Sequence, residues 1–201
     1  MIRILLADDQ ALVRGALAAL LDLEADIDVV AQVGRGDEVV AAARASGADV
    51  CLLDIEMPGA DGIEAAARIR AELPGVRSLI VTTFGRPGYL RRALEAGASG
   101  FVVKDTPAGE LADAVRAVHA GRRVVDPALA TESLVGGSNP LSEREREILR
   151  AALAGDPVAE IARTVHLSQG TVRNYLSGAI AKTGAANRMA AARTAEANGW
   201  L

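Results

Sequence analysis

"DVCLLDIEMPGADG", residues 49–62, decides how the chain is to be read. Val50, Cys51, Leu52 and Leu53 form an unbroken apolar run, as a strand buried on both faces requires. The run ends in Asp54 and Glu56, and Met57-Pro58-Gly59 turns the chain at once. A strand that is core along its length and acidic at its tip belongs in an open parallel sheet, where ligands meet the carboxyl ends of the strands.

The surrounding chain repeats the plan. Short apolar runs predict strands at 2–7, 27–33, 78–84 and 99–103 around the strand at 49–53. Helical stretches at 11–21, 37–46, 61–72, 86–96 and 107–120 alternate with them, several closed by glycine. Five βα units imply an α/β, flavodoxin-like domain over residues 1–121, a five-stranded parallel sheet in the order 2-1-3-4-5. Residues 122–139 break the pattern and read as a linker: "DPALATESLV" allows a short helix and "GGSNP" a hinge. Residues 140–201 carry no strand signal. Helices are expected near 142–154, 158–165, 169–182 and 187–198, an all-α four-helix domain.

Composition narrows the function. Half of the 201 residues are apolar and 2% are aromatic, so the cores are built from Ala, Val, Leu and Ile. The single cysteine, Cys51, excludes an internal disulfide and reads as core. Two histidines far apart argue against a multi-His metal centre or a His-based triad. No apolar run reaches membrane length and no leader pattern opens the chain, so a cytoplasmic protein without membrane insertion is expected. Residues 1–121 carry 12 Lys and Arg against 18 Asp and Glu; residues 140–201 carry 8 against 6. An acidic front and a mildly basic back suggest two tasks.

The strand ends explain the acid. Strand one delivers Asp8 and Asp9, strand three Asp54 and Glu56, strand four Thr82 and Thr83, strand five Lys104. A lone Asp after a strand is ordinarily a helix cap or turn former; the set of four strand ends carries the chemistry. Crowded carboxylates repel unless a cation joins them. Mg2+ takes a few carboxylates, water and a phosphate oxygen. Lys104 and the Thr82 hydroxyl can hold phosphoryl oxygens, and Asp54, on the central strand, can act as nucleophile and become an aspartyl phosphate. Gly59 and Gly62 leave room beside it.

In the back domain, "HLSQGTVRNYLSGAIAKTG" places Val172, Leu176 and Ile180 on an apolar face, with Ser168 as N-cap. Thr171, Arg173, Asn174, Ser177 and Lys182 fall on other faces. A helix-turn-helix needs this arrangement to read double-stranded DNA, although a solvated bundle face would look the same by periodicity alone.

"ADD", "LLDIEMPGADG", "VTTF" and "GFVVKD" resemble the receiver domain of two-component response regulators. That resemblance implies Asp54 as phosphoacceptor, with Asp9 and Asp54 as direct Mg2+ ligands. Asp8 would act through water and Glu56 through its backbone carbonyl. Thr82 and Lys104 would bind the phosphoryl group, and Thr82 with Phe101 would form the switch. "PLSEREREIL", "EIA", "LSQGTVRNYLS" and "NR" resemble the DNA-binding domain of the NarL/FixJ (LuxR-type) family. The match implies Arg173, Asn174 and Ser177 as base readers and Thr171 and Lys182 as phosphate contacts. Many relatives carry a basic residue where Ser177 stands, and "GDPVAEIA" departs from their usual run. "TTFGRPGY", "GTVRNYLS" and "NGWL" resemble, more narrowly, regulators of the DesR type. That likeness implies a membrane-bound histidine kinase as partner, a homodimer on phosphorylation, and relatives that control lipid-desaturation genes.

Two rival readings have specific marks. A haloacid-type phosphatase also places Asp, Thr and Lys around Mg2+, but it needs a second Asp where Glu56 stands. A phosphorylation-independent DNA-binding regulator would have no use for an intact acid pocket.

Overall fold

The computed structural model describes residues 1–83, 87–126, 129–130 and 139–201. The chain divides into two compact units, one built on a sheet and one of helices.

The sheet is parallel throughout, in the order β2-β1-β3-β4-β5-β6. Its strands are β1 (Ile2–Ala7), β2 (Ile27–Val33), β3 (Val50–Leu53), β4 (Arg77–Thr82), β5 (Gly100–Val103) and β6 (Val124–Val125). The expected order holds for the first five. The sheet has six strands rather than five, because Val124–Val125, in a stretch read as linker, pairs with Gly100 and Phe101. Two β-branched residues suffice for a short edge strand, but two residues are too few to show a period.

Every residue of β3 is buried, as its unbroken apolar run requires. Alternation splits the strands between two faces. Ile4, Leu6, Val50, Leu52, Leu79, Val81 and Val102 join one core with Leu21, Leu111, Val115 and Val118 of α1 (Ala11–Leu21) and α5 (Ala108–His119). Leu5, Cys51, Leu53, Ile80 and Phe101, each 0% exposed, occupy the alternate positions. The remaining helices are α2 (Val39–Ser46), α3 (Gly62–Glu72) and α4 (Pro87–Ala96). β4 starts one residue and ends two residues earlier than expected: Thr83 is an exposed bend and Phe84 lies outside the described residues.

The second unit holds α6 (Glu143–Leu153), α7 (Val158–Thr164), α8 (Gln169–Thr183) and α9 (Arg188–Ala197). Ile148, Leu149, Ile161, Val172 and Leu176 form its core, with Ala152, Ala179, Ala191, Ala192 and Ala195 where helices approach closely. His166 turns the chain between α7 and α8 at φ 54, a left-handed conformation that His adopts more readily than most residues. Of the helix considered for "DPALATESLV", Leu129 and Ala130 are helical, with the Ala130 amide on the Asp126 carbonyl at 2.9 Å; its other residues after Asp126 and most of the "GGSNP" hinge lie outside the described residues.

Candidate functional site

The carboxyl edge of the sheet gathers the acids. Asp8 follows β1 and is 3% exposed; Asp54 follows β3 and is 4% exposed. Asp8 Oδ1 accepts from the Gln10 amide at 2.8 Å, and Asp54 Oδ1 accepts from the Ile55 amide at 2.8 Å. Lys104 joins them, its Nζ lying 2.7 Å from Asp8 Oδ2 and 2.9 Å from Asp54 Oδ2. The Lys104 amide is itself held on the Thr82 carbonyl at 2.8 Å. Asp9 is exposed, yet Asp8, Asp9 and Asp54 each offer an oxygen within 4.8 Å of the others. The Glu56 side chain is exposed and stands outside that group.

Thr82 and Phe101 are both buried. Ile80 pairs with Phe101 and Thr82 with Val103, so alternation puts Thr82 and Phe101 on the same face of the sheet. Gly62, at the start of α3, donates its amide to the Ile55 carbonyl at 3.0 Å. A Cβ there would lie 2.0 Å from the Asp54 carbonyl oxygen. Asp61, the N-cap of α3, accepts from the Glu64 amide and starts the helix beside the acid cluster.

Burial pushes the Asp54 carboxyl above the ordinary range. The hydrogen bond and charge of Lys104 oppose the shift, and the charge of Asp8 adds to it. Burial pulls the Lys104 ammonium down, but its bonds to Asp8 and Asp54 outweigh that and hold it above the ordinary lysine range. The sign for Asp54 follows from linkage. A carboxyl whose folded pKa is raised penalises the fold while ionised, and the penalty is relieved as pH falls through that pKa. Asp54→Asn is therefore expected to be more stable than wild type at neutral pH without Mg2+. The gain should shrink as pH falls into the carboxylate range, where wild-type Asp54 takes up its proton. Melting curves across pH test this; a gain that grows on acidification would reverse the sign.

Three oxygen donors, two buried and one open to solvent, fit a hard divalent cation. Asp8, Asp9 and Asp54 are the residues that would hold it.

The second constellation lies on α8. Ser168 caps it, accepting from the Thr171 amide at 3.1 Å, and the Ser168 and Thr171 hydroxyls lie 2.8 Å apart. Arg173, Asn174 and Ser177 are exposed, while Val172, Leu176 and Ala179 are buried. Arg173 donates to Gln169 Oε1 at 3.3 Å. Lys182 Nζ lies 2.7 Å from Glu145 Oε2, whose side chain is 6% exposed. Glu145 also accepts from the Ser142 amide and donates its own amide to the Ser142 hydroxyl, a capping box at the start of α6. Burial raises its carboxyl, but bonds from Lys182 and Ser142 bring it below the ordinary range.

The family model described as "Response regulator receiver domain" matches residues 4–116, and that described as "Bacterial regulatory proteins, luxR family" matches residues 139–195. This chain belongs to the NarL/LuxR family of response regulators. It is a transcription factor with a phosphorylatable receiver and a LuxR-type DNA-binding domain, and not an enzyme. The uncharacterized transcriptional regulatory protein YvfU of Bacillus subtilis (strain 168) is 45% identical over the whole of both chains. Transcriptional regulatory protein DesR of the same organism is 42% identical, again over the whole of both. Among solved structures, the two-component response regulator RcsB–DNA complex matches with a TM-score of 0.68 and 25% identity, covering 98% of each chain.

Sequence reading missed the Ser142–Glu145 box, although Ser-x-x-Glu before an apolar run is its signature. It also missed Arg14, whose guanidinium donates to the Asp8 carbonyl; an arginine six residues from its acceptor carries no mark in the sequence. No helix among the described residues is long and apolar enough to cross a membrane.

Proposed function

We propose that this response regulator takes a phosphoryl group from a histidine kinase onto Asp54, dimerises, and binds promoter DNA through α8. The observation that carries the reading is Lys104 bridging Asp8 and Asp54 beside an acid cluster at the carboxyl edge of the sheet. Residues 1–121, with β6 (Val124–Val125) added to their sheet, serve as receiver, the remainder of 122–139 as linker and 140–201 as DNA-binding domain. A membrane-bound kinase meets the regulator on the cytoplasmic side.

A carboxylate oxygen of Asp54 attacks phosphorus. The bond from phosphorus to the kinase histidine nitrogen breaks, and the electron pair leaves with the imidazole. Asp8, Asp9, Asp54 and the Glu56 carbonyl would hold Mg2+, which would supply neutralising charge for acids and phosphoryl oxygens. The Ile55 amide fixes Asp54 Oδ1. Lys104 exchanges Asp54 Oδ2 for a phosphoryl oxygen. Thr82 turns its hydroxyl to another, and Phe101, on the same face, follows as the switch. YvfU at 45% and DesR at 42% are near enough to each other that likeness favours no one regulon, lipid genes included.

On DNA, Arg173, Asn174 and Ser177 meet base edges, and Thr171 and Lys182 meet phosphates. Because Lys182 is paired to the buried Glu145 in the free protein, it also braces α8 against α6. Arg173→Ala is expected to cost about 1–3 kcal/mol on operator DNA and to relax preference at one position. Lys182→Ala should weaken operator and scrambled DNA alike, lowering the salt slope by roughly one, and should also lower the melting temperature. DNA titrations and sedimentation with and without beryllofluoride test the reading. Dimer formation and tighter operator binding with beryllofluoride support it; a monomer at operator-binding concentrations in both conditions refutes it.

A further inference from the structure

A cavity of about 290 Å³ opens at the opposite, amino-terminal edge of β4 and β5, within the first unit. Arg70 from the last turn of α3, Arg77 from the first position of β4, and Arg123 from just before β6 line it, together with Ser78 and Ser99. No acidic residue lines it.

Three cations around one cleft repel unless something answers them. Some arginines of this unit are answered by carboxylates, Arg44 and Arg68 by Glu72 and Arg116 by Glu24, Asp26 and Asp113, while Arg3 and Arg14 donate to backbone carbonyls. Among the described residues, none of Arg70, Arg77 and Arg123 forms an ion pair. Arg70 Nη1 spends one donor on the Glu95 carbonyl at 3.4 Å, at the end of α4. That use of charge at a helix carboxyl terminus is ordinary. It does not extend to Arg77 and Arg123, for which no side-chain hydrogen bond exists among the described residues. Ser78 also lines the cleft; the residue is 2% exposed, and its hydroxyl makes no hydrogen bond to a described residue, so it is left as a donor at the cleft.

We propose that this cleft binds a small polyanion of the phosphate class, bearing more than one phosphoryl group. Guanidinium forks match phosphate oxygens two at a time, and their spread over three elements calls for more anionic oxygens than a single phosphate offers. The Ser78 hydroxyl adds one neutral donor at the floor. The site lies at the far end of β4 from Thr82, so it is separate from the acid cluster.

The test is isothermal titration of the full chain with pyrophosphate and, separately, inorganic phosphate, in Mg2+-free buffer so that the acid cluster holds no bridging cation. Amide spectra locate the site. Pyrophosphate is expected to bind one per chain, more tightly than phosphate, and to shift the Ser78, Ser99 and Gly121 amides. The pair Arg77→Ala with Arg123→Ala should weaken binding about tenfold or more. Arg44→Ala, at an arginine already answered by Glu72, should leave binding unchanged. Arg123→Glu, a reversal at an exposed position, should abolish it alone. Absence of binding, equal binding by the double variant, or shifts confined to α8 would overturn the proposal.

Discussion

Lys104→Met is expected to destabilise the receiver by about 3 kcal/mol in Mg2+-free buffer, and millimolar Mg2+ should restore much of the loss. Lys104 Nζ is within 2.9 Å of both Asp8 and Asp54, two carboxylates that are 3% and 4% exposed. Removing a shared cation leaves buried charge uncompensated, which costs far more than losing an exposed ion pair. A cation that binds only the folded cluster then stabilises by mass action. Melting wild type and variant with and without Mg2+ reads both effects. A small loss, or a loss indifferent to Mg2+, would mean the acids do not form one electrostatic unit.

Gly62→Ala is expected to cost about 3 kcal/mol and to slow phosphorylation, while Gly15→Ala should stabilise by about 1 kcal/mol. The contrast lies in what each new methyl meets. At Gly62 it meets the Asp54 carbonyl oxygen at 2.0 Å and carbon at 2.8 Å, both backbone, so α3 must move off the loop that carries the phosphoacceptor candidate. At Gly15, exposed in the middle of α1, nothing lies within 4 Å, and only the helix-forming advantage of alanine remains. Chemical denaturation of the two variants checks the pair. Equal losses would show that close approach at Gly62 is not what demands glycine.

The sheet was readable where the strands are continuous apolar runs, because nothing but a doubly covered strand accounts for Val50–Leu53 ending in acid. The site was readable for the same reason: Asp8, Asp54, Thr82 and Lys104 stand at strand ends, and topology alone brings strand ends together. What escaped depended on distances that no period encodes. Lys182 reads as a free base on a polar helix face, and only the folded chain brings Glu145, 37 residues earlier, under it. The arginine cleft is assembled from residues 70, 77 and 123, which share no motif. Val124–Val125 joins the sheet through its neighbour Phe101, not through any pattern of its own.

The most direct measurement is mass spectrometry of the protein after incubation with acetyl phosphate, for wild type and Asp54→Asn, each with and without Mg2+. Wild type should gain one phosphoryl group, mapped to Asp54, only when Mg2+ is present, and Asp54→Asn should gain none. Equal labelling of the two proteins, or full labelling of wild type in the absence of divalent cation, would show that Asp54 in its acid cluster is not the phosphoacceptor.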